Sequence, residues 1–118
     1  MKRISFPHGV VSASALRVGT GLTRKFVGVE HDADISYFFV ENHPGEGPEL
    51  HWHPYSETWI VLDGTVQITR GDETFTAIAG DTATVAPRVP HKFVNIGDGM
   101  LRIICIHASA IMIQTVIH

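Results

Sequence analysis

Hydrophobic and polar positions alternate along most of this chain in short runs, and glycine, proline or an Asp-Gly pair interrupts about every ten residues. Residues 35–41 read ISYFFVE, 57–62 ETWIVL, 65–70 TVQITR, 73–78 ETFTAI and 91–95 HKFVN. Further apolar runs follow at 101–109, LRIICIHAS, and 111–117, IMIQTVI. Valine, isoleucine, threonine and aromatic residues fill these runs, which favours a pleated, half-buried surface over a helix. Nearly every window long enough for a helix contains glycine or proline, and only residues 11–18, VSASALRV, combine helix formers with strand-like alternation. The pattern predicts an all-β sandwich or barrel. Asp63-Gly64 lies between two β-rich runs and predicts a hairpin, with further turns at Gly71-Asp72 and at residues 79–81.

A chain of 118 residues is long enough for one core, and no repeat or composition shift divides it, so residues 1–118 read as a single domain. The net charge of −3, with no Lys/Arg cluster, argues against nucleic acid or an anionic membrane as partner. No run approaches the roughly 20 apolar residues of a membrane span. The basic N-terminal residues are followed by Pro7, His8 and Gly9, which interrupt a signal-peptide core. Cys105 is the single cysteine, which rules out an intrachain disulfide and a multi-thiolate metal site. A cytoplasmic protein is expected.

Eight histidines are more than such a chain needs for packing, and three carry a pattern. His51 and His53 are two apart, which on a strand places both imidazoles on one face. Pro54 ends or bends that strand, and Glu57 opens the next, able to bring a carboxylate back to the same point. Taken alone the pair also fits a strand that happens to carry histidine. The spacing around it is more specific. Gly45, five residues, His51-x-His53, three residues, Glu57, six residues and Gly64 reproduce the first motif of the cupin superfamily. A second run, from Gly80 through APRVPHKFVN to His91 and Asn95, follows the second cupin motif. It departs at Ala86, where the family usually has proline, and at Arg88, where it usually has glycine. Glycine there tolerates a positive φ that arginine resists, so a reshaped turn is expected, with Arg88 either an ordinary surface residue or a contact for a substrate anion.

The chain thus resembles a small single-domain cupin. The resemblance implies a double-stranded β-helix, or jelly-roll barrel, open at one end. It also implies a divalent metal held by His51, His53, Glu57 and His91; three imidazoles and a carboxylate suit Fe, Ni, Cu, Zn or Mn without selecting among them. An octahedral ion so held keeps two positions for water, oxygen or a bidentate substrate.

Strand parity turns Trp59 and Val61 inward with Glu57, and Phe93 and Asn95 inward with His91. Tyr37 and Phe39 are candidates for the facing wall. His107, in the last long core run, is the candidate general base or additional pocket group, and Cys105 shares its parity as a buried, inert thiol. His8, His31, His43 and His118 read as solvated. Three functions compete: a mononuclear metal-dependent enzyme (oxygenase, isomerase or lyase class) on a small organic substrate, a non-catalytic metal-bearing binder or sensor, and a metal-free sugar-nucleotide epimerase type of barrel. The first is favoured, because an ion with open positions in an apolar pocket is reactive by default. Apolar runs at both ends point to edge strands needing cover, and hence to a homodimer.

Overall fold

The protein was analysed as a computed structural model, which describes residues 9–118; His8 and the basic N-terminal residues lie outside them. Among the described residues, ten strands form two five-stranded antiparallel sheets packed face to face. In chain order the strands are β1 (Arg24–Phe26), β2 (Ser36–Asn42), β3 (His51–Trp52), β4 (Glu57–Asp63) and β5 (Thr65–Arg70). They continue as β6 (Glu73–Ile78), β7 (Thr82–Val85), β8 (His91–Asn95), β9 (Leu101–His107) and β10 (Thr115–Val116). The first sheet runs β1-β2-β9-β4-β7 and the second β10-β3-β8-β5-β6. Neighbours distant in sequence pair in both, as a jelly roll requires. The ambiguous stretch near residue 13 is neither strand nor α-helix. It forms one 3₁₀ turn, Ala13–Leu16, capped by the Ser12 side chain, which accepts from the Ala15 N–H.

Alternation governs what faces the interior. On β4, Glu57, Trp59 and Val61 are buried, and on β9, Leu101, Ile103, Cys105 and His107 are. Val66 and Ile68 of β5 and Phe93 of β8 close the core from the other sheet. The lower half of the barrel is therefore packed hydrocarbon around Trp59, and the polar inward positions gather at one end.

Two local expectations are corrected. The Asp63-Gly64 pair is not a hairpin: β4 belongs to the first sheet and β5 to the second, so the chain changes sheets there. Turn residues report only that the backbone reverses or bends. Here the β4–β9 register shifts between Val61 and Asp63, a bulge that swings the strand out of its sheet. Gly64 sits at the bend with φ +91°, where an added Cβ would lie 2.9 Å from the Met100 carbonyl oxygen. The true hairpin is at Gly71-Asp72, where Arg70 pairs with Glu73. On β2, the inward aromatic is Phe38, not Tyr37 or Phe39. Phe38 pairs with Cys105 across the sheet, while Tyr37 stacks on Phe26 and Phe39 lies beneath the guanidinium groups of Arg24 and Arg102. A one-residue difference in register exchanges the two faces, and nothing local to the SYFF run sets it.

After β9 the chain crosses back over the barrel as a strap. Ser36 Oγ donates to the Ser109 carbonyl at 2.8 Å, and the Val29 N–H donates to the Ala110 carbonyl. The strap ends in β10, which pairs with β3, so that only two residues of the 111–117 apolar run are strand.

Candidate metal centre

Register brings the site together. His51 lies opposite His91 in the second sheet, and Glu57 lies opposite His107 in the first. Because all four positions point inward, the facing sheets meet there. The ligating atoms of His51, His53, Glu57 and His91 lie within 4.8 Å of one another, and every one of these residues is buried.

The ring orientations decide what these residues can do. His51 Nδ1 is 2.6 Å from the Glu49 carbonyl oxygen, His53 Nδ1 is 2.8 Å from that of Ile113, and His91 Nδ1 is 2.9 Å from that of Val89. A carbonyl oxygen only accepts, so each Nδ1 must carry the proton and each neutral ring turns its Nε2 lone pair inward. This is the arrangement by which a backbone acceptor fixes the tautomer of a metal-ligating histidine. The Glu57 carboxylate sits among these lone pairs, with Oε1 2.9 Å from His53 Nε2 and 3.1 Å from His91 Nε2.

Such a contact between lone pairs and a carboxylate needs a positive charge, either an added proton on a ring or a cation. His53 Nε2, although close to Glu57, has no hydrogen-bond partner of acceptable geometry. A borderline divalent ion ligated by three imidazole nitrogens and one carboxylate oxygen satisfies all four groups, so the residues present fit the metal the sequence implied.

Electrostatics agree. Burial alone would raise the Glu57 pKa, but the adjacent His53 and His91 rings, when an added proton sits on Nε2, and the charge of nearby histidines hold it at about 2. Burial lowers the His51 pKa, and burial also brings His107 down to about 4 in spite of the nearby Glu57 charge. Burial thus favours the neutral form of His51, the form that a metal requires, and of His107.

The cluster borders a cavity of about 520 Å³. Phe38, Val40, Phe93 and Cys105 give it apolar walls, while Asn42, Glu46, Gln114 and His107 supply polar groups. Trp59, Val61 and Asn95 do face inward, as parity predicts, but none of the three lines the cavity. Trp59 and Val61 fill the hydrocarbon below it. Asn95 is a clamp: its side chain donates to the Asn42 and Gly99 carbonyls and accepts from the Gly97 N–H. Cys105 is buried, and burial raises its pKa well above the usual thiol value, in keeping with an inert wall residue. His43 and His118 are exposed, and His31 stacks on Phe26.

Arg88 departs from expectation in an instructive way. The turn is not reshaped to suit it; Arg88 itself adopts φ +66°, and its N–H donates to the His53 carbonyl at 2.7 Å. Its side chain is exposed and does not line the cavity, which leaves the substrate-anion reading without support. Sequence reasoning passed over Tyr55. Its ring stacks on His53 with the planes 3° apart, and its hydroxyl lies 2.7 Å from His107 Nδ1.

This fold and this cluster define a class. Residues 38–107 match the cupin domain, and the chain belongs to that family. Among curated relatives, an uncharacterized protein of Methanocaldococcus jannaschii is 40% identical over 57 residues, which are 48% of this chain and 46% of that protein. The polyketide synthase CurC of Streptomyces cyaneus is 34% identical over 62 residues, 52% of this chain and 40% of CurC. The chain spans less than half the length of these relatives. Solved oxalate decarboxylases share the fold. The Lactobacillus farciminis enzyme in its formate complex has a TM-score of 0.73 at 27% identity, covering 80% of this chain and 30% of that one. The Bacillus subtilis enzyme, in a structure concerned with its Mn(II) centres, has a TM-score of 0.75 at 25% identity, covering 80% of this chain and 27% of that one.

Proposed function

We propose that this cupin is a mononuclear metal-dependent enzyme acting on a small organic substrate, with His51, His53, Glu57 and His91 as the ligands. The observation that carries this reading is the set of three Nδ1–H groups tied to backbone carbonyls, which aims three Nε2 lone pairs at one buried carboxylate. Bound there, a divalent ion supplies Lewis-acid or redox chemistry at coordination positions facing the cavity. Manganese is a leading candidate beside Fe, Ni, Cu and Zn, supported by the Mn(II) centres of the similar Bacillus subtilis enzyme. The substrate is a neutral or singly charged molecule with an oxygen for the metal and an apolar body for Phe38, Val40 and Phe93. No described residue lining the cavity is lysine or arginine, so a dianion would have no side-chain counter-charge. We also propose a homodimer, supported by the exposed Ile111, Ile113 and Ile117 of the C-terminal run.

The test is metal content of untagged protein by elemental mass spectrometry, beside His51→Ala, followed by turnover assays with monocarboxylates and neutral carbonyl compounds. Close to one ion per chain, lost in the variant, with turnover that requires the ion, is the expected result. Protein that stays empty after incubation with each of the five metals removes the metalloenzyme reading. A loaded protein that binds such compounds without converting them leaves the second reading, a metal-bearing binder, which the same cavity supports.

A further inference from the structure

Four imidazoles surround the Glu57 carboxylate, and they are of two kinds. Three turn lone pairs toward it. We propose that the fourth, His107, is held in the opposite tautomer by Tyr55, so that its Nε2–H is a hydrogen-bond donor aimed into the cavity and holds an oxygen atom of the ligand beside the metal. This rests on the metal-dependent reading above and assigns His107 a part in it: a substrate-holding donor, not a fifth ligand.

The protons available around Tyr55 decide the tautomer. Tyr55 has one hydroxyl proton and two neighbours able to accept it: His107 Nδ1 at 2.7 Å and the Ile113 carbonyl at 3.3 Å. The carbonyl accepts the His53 Nδ1–H at 2.8 Å and has a second lone pair, but at 3.3 Å it is the poorer acceptor for the phenol. The phenol oxygen in turn accepts the Ile113 N–H at 3.1 Å. The short contact to Nδ1 therefore takes the hydroxyl proton, which makes Nδ1 the acceptor and leaves the ring proton on Nε2. The far side of the ring agrees. His107 Nε2 faces Glu57 Oε1 at 3.7 Å, too long for a hydrogen bond but close enough for its charge to matter. An N–H directed there is attracted to the carboxylate, whereas the other tautomer would direct a lone pair at it.

His107 is 2% exposed, lines the cavity, and packs edge-on against Phe38, which limits its rotation. A fixed donor beside a metal selects an acceptor: a carboxylate, enolate or carbonyl oxygen, in a ligand with at most one negative charge to suit walls free of lysine and arginine. Tyr55 does not line the cavity; it acts through His107 and is a positioning residue.

Two measurements test this. Long-range nitrogen–proton NMR of the metal-free protein reads each imidazole tautomer directly. The expected result is a proton on Nε2 of His107 and on Nδ1 of His51, His53 and His91, with Tyr55→Phe shifting His107 alone to a mixture. A proton on Nδ1 of His107 in the wild type overturns the proposal, and this arm stands even if no metal is ever bound. In the cobalt-loaded protein, acetate is titrated by visible absorption. His107→Leu should weaken acetate about tenfold or more, as expected for a lost hydrogen bond to a charged group, while His107→Gln keeps a donor and most of the affinity. Metal affinity, by chelator competition, should stay within about threefold in both variants and in Tyr55→Phe. A loss near that of His51→Ala would make His107 a ligand and overturn the assignment; equal acetate binding by all forms would do so too.

Discussion

His51 and His91 take their orientation from carbonyls two residues back, at Glu49 and Val89, whereas His53 takes its from Ile113, 60 residues along the chain. His107 also depends on that region, through Tyr55, whose hydroxyl accepts the Ile113 N–H. One half of the site is therefore built by its own strands and turns, and the other is completed by the strap. The two halves share a cluster that could hold a metal ion but not a source of order. A ligand set says nothing about what aims its members, and here two ligands can be aimed correctly while a third is not.

Removing residues 111–118 separates the halves. The deletion strips His53 of its acceptor, Tyr55 of its partner and β3 of its β10 neighbour, while Glu49 and Val89 remain as acceptors for His51 and His91. Losing the partner that orients a ligating histidine typically costs 10–100-fold in affinity, and a loss in that range is expected by chelator competition. The core around Trp59 and Ile103 contains nothing from the strap, so the far-ultraviolet circular dichroism of the barrel should be retained. Unchanged metal affinity would show that Ile113 does not aim His53.

Acidification acts on both halves of the metal-free protein. His107 has a pKa of about 4 in the fold and 6.5 outside it, and His51 is lowered too. Between those values the unfolded chain holds more protons than the folded one, so stability falls as pH drops through the window. His107 alone would account for about 1 kcal/mol by pH 5.5. Glu57, held at about 2, contributes stability that is full above its unfolded value of 4.5 and is lost only as pH falls toward 2. Urea denaturation at pH 7.5 and pH 5.5 measures the difference; a midpoint that rises on acidification would contradict it.

The smallest effect belongs to the local half. Arg88 occupies a left-handed conformation that glycine adopts without strain. Arg88→Gly should stabilise the protein by about 0.5 kcal/mol, visible as a small rise in melting temperature, with metal affinity unchanged. A lower melting temperature would mean that the arginine side chain contributes more than its backbone costs.

Much of the fold and site is legible in the amino-acid sequence, for identifiable reasons. Parity along a strand is local, so His51 and His53, Glu57 with Trp59, and His91 with Phe93 all face where alternation puts them. Motif spacing supplied the fourth ligand. What escaped depends on distant pairing. Asp63-Gly64 carries hairpin chemistry, but the bulge against β9 turns it into a corner between sheets. Phe38 replaces Tyr37 and Phe39 on the cavity wall because β9 sets the register of β2. Tyr55 falls between two ligands in an unremarkable PYS sequence, and its role appears only when Ile113 and His107 are brought to it. Its place between His53 and Glu57 was the one available hint.

The remote acceptor also orders events in time. A chain leaves the ribosome from its N-terminus, and its early strands can begin to associate as they emerge. His51, His53 and Glu57 are made well before Ile113, and even once His91 has arrived the ring of His53 has nothing to aim it. Full coordination geometry is withheld until the strap has crossed the finished barrel. On the proposed metal-dependent reading, an ion meeting the nascent chain would find the ligand set incomplete, and the site would form only with the closed fold.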